Sequence, residues 1–195
     1  DHLEEGGIEI IPIYFDAQKR ASCLSQAQLY SNTPADFDFK LGQTGRRLSQ
    51  NTLIKTLKSV DLVFPAMHGK FGEDGKIQNF LEKHQIPFVG SPAATCQKAF
   101  DKFEAQKFIA QHGFCAMPSL LITQNQDDHK KVIKDFFQAH RLARAIIKPA
   151  RGGSSIGVFS VSSPLKLWRK RVLFLPANWT TVLFCNHSPK AKNLP

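Results

Sequence analysis

Apolar and polar positions switch repeatedly between two periods along this chain. Ile8 to Phe15 (IEIIPIYF) is a nearly continuous run of isoleucine and aromatic residues and predicts a buried strand. Residues 16–48 are polar and turn-rich and predict a loop or insertion. Leu53, Ile54, Leu57 and Val60 fall on one helical face, and Asp61 to Met67 (DLVFPAM) predicts a second buried strand. Ile77, Phe80, Leu81 and His84 then follow at i, i+3, i+4 and i+7, the spacing of an amphipathic helix. Ile86 to Val89 reads as a short strand ended by Gly90.

The alternation continues beyond a break at Gly90-Ser91-Pro92. Asp101, with Glu104 three residues on, predicts the capped start of a helix that carries Ala105, Phe108 and Ile109 and stops at Gly113. Ser119 to Thr123 reads as a strand. Asp127 to His140 reads as a helix with Val132, Ile133, Phe136 and Phe137 on its apolar side. Ala145 to Lys148 and Ile156 to Val161 read as strands around a glycine-rich loop, Pro149 to Ser155. Strands alternating with helices imply an α/β protein. From Pro164 the pattern breaks down: WRKRVLFLPANWTTVLFC has short apolar runs but neither clean alternation nor helix signals.

Composition sharpens this last point. The chain has 195 residues, is 42% hydrophobic and carries a formal charge of +10. That charge is not spread evenly. The last acidic residue is Asp135, and ten basic residues follow it, so the excess belongs to the C-terminal third. A neutral body with a basic end differs from a nucleic-acid-binding domain, whose basic residues line a folded face. Low acid content beside Trp168, Trp179 and Cys185 fits an out-of-frame translation; the competing reading is a basic tail at a membrane surface or nucleic acid. No run of eighteen apolar residues predicts a membrane span. Cys23, Cys96, Cys115 and Cys185 lack C-x-x-C spacing and suggest reduced thiols in a cytoplasmic protein.

Three segments carry candidate chemistry. In Lys148-Pro149-Ala150-Arg151-Gly152-Gly153-Ser154-Ser155-Ile156-Gly157 a lysine ends a strand and a loop of glycines and serines follows. Glycines let backbone N–H groups approach phosphate oxygens, and an ammonium adds a point charge. The same residues would also make a plain hairpin turn. His68-Gly69-Lys70-Phe71-Gly72-Glu73-Asp74-Gly75 follows a predicted strand, where ligands of open α/β sheets bind. It reads equally as a βα turn with acidic capping residues. Asp101-Lys102 opens a helix and by itself is an ordinary first turn.

Taken in order, HGKFGEDGKIQNFLEKHQIPFVGS, FDKFEAQKFIAQHGF and IIKPARGGSSIGV resemble the D-alanine–D-alanine ligases of the ATP-grasp superfamily. The resemblance covers about residues 8–163 and is dense from Asp61 to Val161. It implies a partial Rossmann-like N-terminal substrate domain over 1–91, a central ATP-grasp subdomain over 92–163, and an atypical tail over 164–195. It implies ATP-dependent joining of two D-alanines through an acyl phosphate, for peptidoglycan precursors. His68 matches a residue that holds the first D-alanine. Lys102 and Lys148 match the lysines that contact ATP phosphates, and Gly153, Ser154 and Ser155 match the loop that closes over them. Ser154 also matches a serine of the network around the first substrate, the residue to which a catalytic role carries over.

The departures from the family pattern concern both ends. The family's opening segment, with the glutamate that holds the first ammonium, has no counterpart here. Its Mg²⁺ ligands lie in a second half, and residues 164–195 contain no Asp or Glu, so no metal ligand is assigned. The expectation is an incomplete copy without the C-terminal ATP-grasp domain, inactive as written. The alternatives are a non-catalytic nucleotide-binding remnant and a D-alanine–D-lactate-type ligase. The implied partners are D-alanine and ATP, with Mg²⁺ in the intact family, no nucleic acid or membrane, and a homodimer as the assembly the resemblance allows.

Overall fold

A computed structural model describes residues 6–25, 28, 33, 35–36, 39–41, 46–123, 128–152, 157–166 and 181–185, the last five by their backbone. The chain divides into two units, 1–63 and 64–195. The partition expected at residue 91 falls inside the second.

In the first unit, strands β1 (Ile13–Phe15), β2 (Ala21–Cys23) and β3 (Arg46–Arg47) form an antiparallel sheet in that order. The turn between β1 and β2 is tied by Arg20, whose backbone N–H and Nε both donate to the Asp16 carboxylate. Helix α1 (Gln50–Lys58) follows, with Ser49 as its cap accepting from Thr52 N at 3.1 Å and with Leu53 and Leu57 buried. The strand expected over 8–15 is therefore shorter than its apolar run. Pro12 has no N–H to donate to a ladder, and Ile8, Ile10 and Ile11 lie exposed. β2 and β3 lie in the segment read as a loop, since two or three residues are too few to show a period.

The second unit carries helices α2 (Lys76–Lys83), α3 (Ala93–Phe100), α4 (Lys102–Gln111) and α5 (His129–Ala139). Its strands are β4 (Ser119–Ile122), β5 (Ala145–Pro149), β6 (Phe159–Val161) and β7 (Thr181–Cys185). They form an antiparallel sheet in the order β4-β7-β5-β6. One face is the main core. Ile122, Ala145, Ile147 and Val161 from the sheet cluster with Ile133 and Phe137 of α5. These residues alternate along β5, so Ile146 and Lys148 lie on its other face. There Ile146, Leu121 and Phe103 pack against buried Ala150.

Three of the helices end alike. His84, His112 and His140 are the C-caps of α2, α4 and α5, and each ring lies 4.2–4.8 Å from that of Phe80, Phe108 or Phe136 one turn earlier. Asp61–Met67 and Ile86–Val89 are not the strands expected; each holds a single bridge position, Val63 in the first and Phe88 in the second. Pro65 removes a donor from the first, and Leu62 and Phe64 beside it are exposed. Among the described residues no helix is long and apolar enough to cross a membrane.

The tail departs most from expectation. Residues 164–195 read as an atypical tail without clean alternation, yet β7 within it is an interior strand, opposite β4 on one side and β5 on the other. Strand pairing draws on backbone groups, which every residue type but proline has in full, so the missing side-chain period does not prevent it. Leu183 stands opposite both Leu120 and Ile147. Leu183→Pro removes a ladder donor from an interior strand and leaves a carbonyl unsatisfied, and is expected to cost about 1–3 kcal/mol. Truncation after Ser163 should lower the melting temperature by about 5 °C or more. Circular dichroism melts check both, and melts superimposable on that of the whole chain would exclude β7 from the sheet.

Candidate functional site

β5 delivers Lys148 to the face opposite the main core and runs on into Arg151 and Gly152. α4 begins beside that end. Its first residue, Lys102, donates its backbone N–H to Ala150 O at 2.9 Å. Asp101 and Arg151 form an isolated antiparallel bridge. The Asp101 carboxylate is shared: Oδ1 caps the helix, accepting from Phe103 N at 3.1 Å and Glu104 N at 3.2 Å, while Oδ2 accepts from Arg151 Nε at 2.9 Å. The Lys102 side chain turns back over the loop, and its Nζ donates to Gly152 O at 2.5 Å.

Two ammonium groups thus converge on the root of the glycine loop. Burial pushes Lys102 below the usual amine range and the charge on Lys148 lowers it further, while Asp101 acts in the opposite direction. Burial alone lowers Lys148. Cations that repel each other in a half-buried place make a site for an anion, which would relieve both penalties. Gly153, Ser154 and Ser155, assigned to the same loop from sequence, lie outside the described residues.

His68 stands exposed at the head of a second, tightly folded loop. Glu73 closes that loop, since its carboxylate accepts from Gly69 N at 2.5 Å and its own N–H donates to Gly69 O at 2.9 Å. The buried Gln78 amide donates to Gly72 O at 2.8 Å. Both later glycines are dictated by space. A Cβ on Gly72 would lie 2.6 Å from Met67 Cβ, and one on Gly75, whose φ is +83°, would lie 2.5 Å from Ala93 O. Burial raises the Asp74 carboxyl, but the Phe71 N–H and the backbone and side chain of Lys76 outweigh it, leaving the group below its ordinary value. These residues shape the loop, and His68 and Lys70 lie exposed on it.

The structure therefore brings Lys102 and Lys148 together and places His68 on a separate loop. It adds Asp101 and Arg151, which sequence reading treated as a helix cap and one more basic residue. Nothing in the spacing links two positions fifty residues apart. Among the described residues no three His, Cys, Asp or Glu side chains group as metal ligands.

Comparison with known proteins gives one consistent picture. The family model described as "D-ala D-ala ligase N-terminus" matches residues 1–91. The D-alanine--D-alanine ligase of Mycolicibacterium smegmatis is 36% identical over 135 residues, covering 69% of this chain and 32% of that protein. The structure of the D-alanine-D-alanine ligase from Coxiella burnetii superposes with a TM-score of 0.71 at 18% identity, over 89% of this chain and 52% of that one. That of D-alanine--D-alanine ligase from Bacillus anthracis complexed with ATP gives 0.57 at 24%, over 71% and 45%. These two likenesses speak for the fold alone. The chain spans about a third of the curated relative it matches and about half of the matched structures.

The lowered lysines make a testable pairing of stability with pH. A lysine whose folded pKa lies below its ordinary 10.5 penalises the folded state in full at neutral pH. The penalty fades as pH rises through the lowered value and is gone above the unfolded one. Lys148→Met is expected to melt no lower than the parent at roughly pH 7, and the parent should gain on it towards roughly pH 10. Thermal melts across that range check this, and a variant that melts lower by the same margin at every pH would contradict it.

Proposed function

Because this chain belongs to the D-alanine–D-alanine ligase family over the stretch it shares with its relatives, we propose that it forms the ATP-phosphate-holding part of an enzyme that joins two D-alanines. The single observation that carries this reading is the convergence of Lys102 and Lys148 on the root of the glycine loop. In the proposed reaction a carboxylate oxygen of the first D-alanine attacks the γ-phosphorus of ATP, and ADP leaves. The amine of the second D-alanine then attacks the acyl phosphate, loses a proton, and expels inorganic phosphate.

Each residue has a role in that scheme. Lys102 and Lys148 neutralise the phosphates, which is most of what phosphoryl transfer asks of a protein. Gly153, Ser154 and Ser155 donate to phosphate oxygens from the loop, and Ser154 also joins the network around the first substrate. His68 orients the first D-alanine's carboxylate. Residues 1–91 form the substrate-binding part and 92–163 the nucleotide-binding part, in line with the family match that ends at residue 91. The known ATP complex of a structurally similar ligase supports the choice of nucleotide. The product would serve peptidoglycan synthesis in the cytoplasm.

Mg²⁺ is the ion such chemistry calls for. The described residues offer no cluster to hold it, and the sequence has no carboxylate after Asp135. The donors therefore do not fit the ion, and no step is assigned to it here.

Isothermal titration of the 195-residue chain with ATP tests the site. Lys148→Ala removes a charge-assisted hydrogen bond worth roughly 1.5–3 kcal/mol and should weaken binding about tenfold or more. An unchanged affinity would take the loop out of consideration. A coupled ADP-release assay with D-alanine, ATP and Mg²⁺ tests the chemistry. The 195-residue chain by itself should bind without turnover. A chimera in which the corresponding lengths of the Mycolicibacterium smegmatis relative precede residue 8 and follow Ser163 should release ADP, and His68→Ala should abolish that release. Release by the 195-residue chain, or none by a folded chimera, would contradict the proposal.

A further inference from the structure

The ion pair between Asp101 and Arg151 lies between the two features on which the nucleotide reading rests. Asp101 immediately precedes Lys102, and Arg151 immediately precedes the glycines of the loop. Their backbones form a bridge, and Arg151 Nε donates to Asp101 Oδ2 at 2.9 Å. Lys102 N donates to Ala150 O beside it, and Lys102 Nζ donates to Gly152 O beyond it. The Lys102 N–H bond to Ala150 O is part of that bridge, so a backbone bridge, an ion pair and a lysine-to-carbonyl bond join two short segments fifty residues apart, and only the ion pair is made between charged side chains.

We propose that Asp101 and Arg151 are positioning residues for nucleotide binding: their ion pair fastens the start of α4 to the chain at Arg151 and Gly152, so that Lys102 meets the phosphates already aligned. The inference rests on the nucleotide reading above. The carboxylate is well placed for this because its two oxygens have separate tasks. Oδ1 fixes the helix start from which Lys102 projects, and Oδ2 fixes the chain that leads into the loop. The Asp101 side chain is 13% exposed against 70% for Arg151, so the carboxylate is the anchored partner and the guanidinium the one it holds. Aligning Lys102 beforehand removes an ordering cost from the binding step. The ammonium of Lys102 already rests on a loop carbonyl. A phosphate oxygen would replace that carbonyl as its acceptor without any movement of the helix.

The test separates this role from two others. Asn caps helices about as well as Asp, so Asp101→Asn keeps the helix start and removes the charge that holds Arg151. Asp101→Asn, Arg151→Ala and the double variant are titrated with ATP, with Lys148→Ala as the control for the site itself. Each single variant is expected to raise Kd roughly two- to fivefold, the scale of a partly exposed ion pair, and the double variant no further than the worse single. The effect of Asp101→Asn should also vanish in a Lys102→Ala background, which a general loss of stability would not do. Hydrogen exchange of the Lys102 amide, with no nucleotide present, should speed up in both single variants.

If Arg151 instead contacted phosphate directly, Asp101→Asn would leave binding unchanged or tighten it while Arg151→Ala weakened it. That result, additive losses, or unchanged exchange at Lys102 would overturn the proposal. If the parent chain binds no ATP, or Lys148→Ala binds as well as the parent, the nucleotide reading fails and this inference with it. If Lys148→Ala loses binding while Asp101→Asn and Arg151→Ala do not, only the inference fails.

Discussion

The alternation of side chains along β5 is the constraint on which the second unit depends. Ala145, Ile147 and Pro149 point to one side and are buried, while Ile146 and Lys148 point to the other. A register slip of one residue would exchange the two sets, putting an ammonium into the apolar core and three apolar groups outside it. The desolvation cost of a buried, unpaired charge makes that slip prohibitive. Burial of Ile122, Ile133, Phe137 and Val161 on one face therefore decides where the cation stands on the other. The core acts at a distance on the site through nothing more than the pleat of a strand.

The site itself is held in a state that folding alone does not favour. Two lysines share a half-buried place where each would gain from more water, and one also feels the other's charge. The nearby carboxylate that would most readily neutralise Lys102 has its oxygens engaged by Arg151 and by the helix start. Lys102 is left with a neutral carbonyl as its partner. Such an arrangement gives up stability to keep positive charge available, as anion sites generally do.

Much of this was legible in the sequence, for reasons that differ between elements. Helices α1, α2, α4 and α5 were readable because eight or more residues repeat the helical period, and because Asp101 sits where a cap is needed. β4 and β5 were readable because their apolar residues are bounded by turns. Lys102, Lys148 and His68 came from ordered motifs and not from any local property of a lysine or a histidine. What failed were segments whose apolar character has no partner, such as Ile8 to Ile11 and Leu62 to Phe64, since hydrophobicity reports the tendency to be buried and not the presence of something to be buried against. The link between Asp101 and Arg151 was out of reach because contact between distant positions leaves no period in a single chain.

The position of β7 has a consequence for the order of events when the chain is made. Synthesis runs from the N-terminus, so β4, α5, β5 and β6 all exist before Thr181–Cys185 is available. Until then β4 lacks the neighbour it has in the finished sheet, and β5 is paired only with β6. The nascent chain thus presents two strand edges separated by a one-strand gap, the form of surface that attracts stray extended segments. The last of the described strands to be made fills the innermost vacancy. Anything that delays it lengthens the time for which another strand, from this chain or a neighbouring one, can take its place.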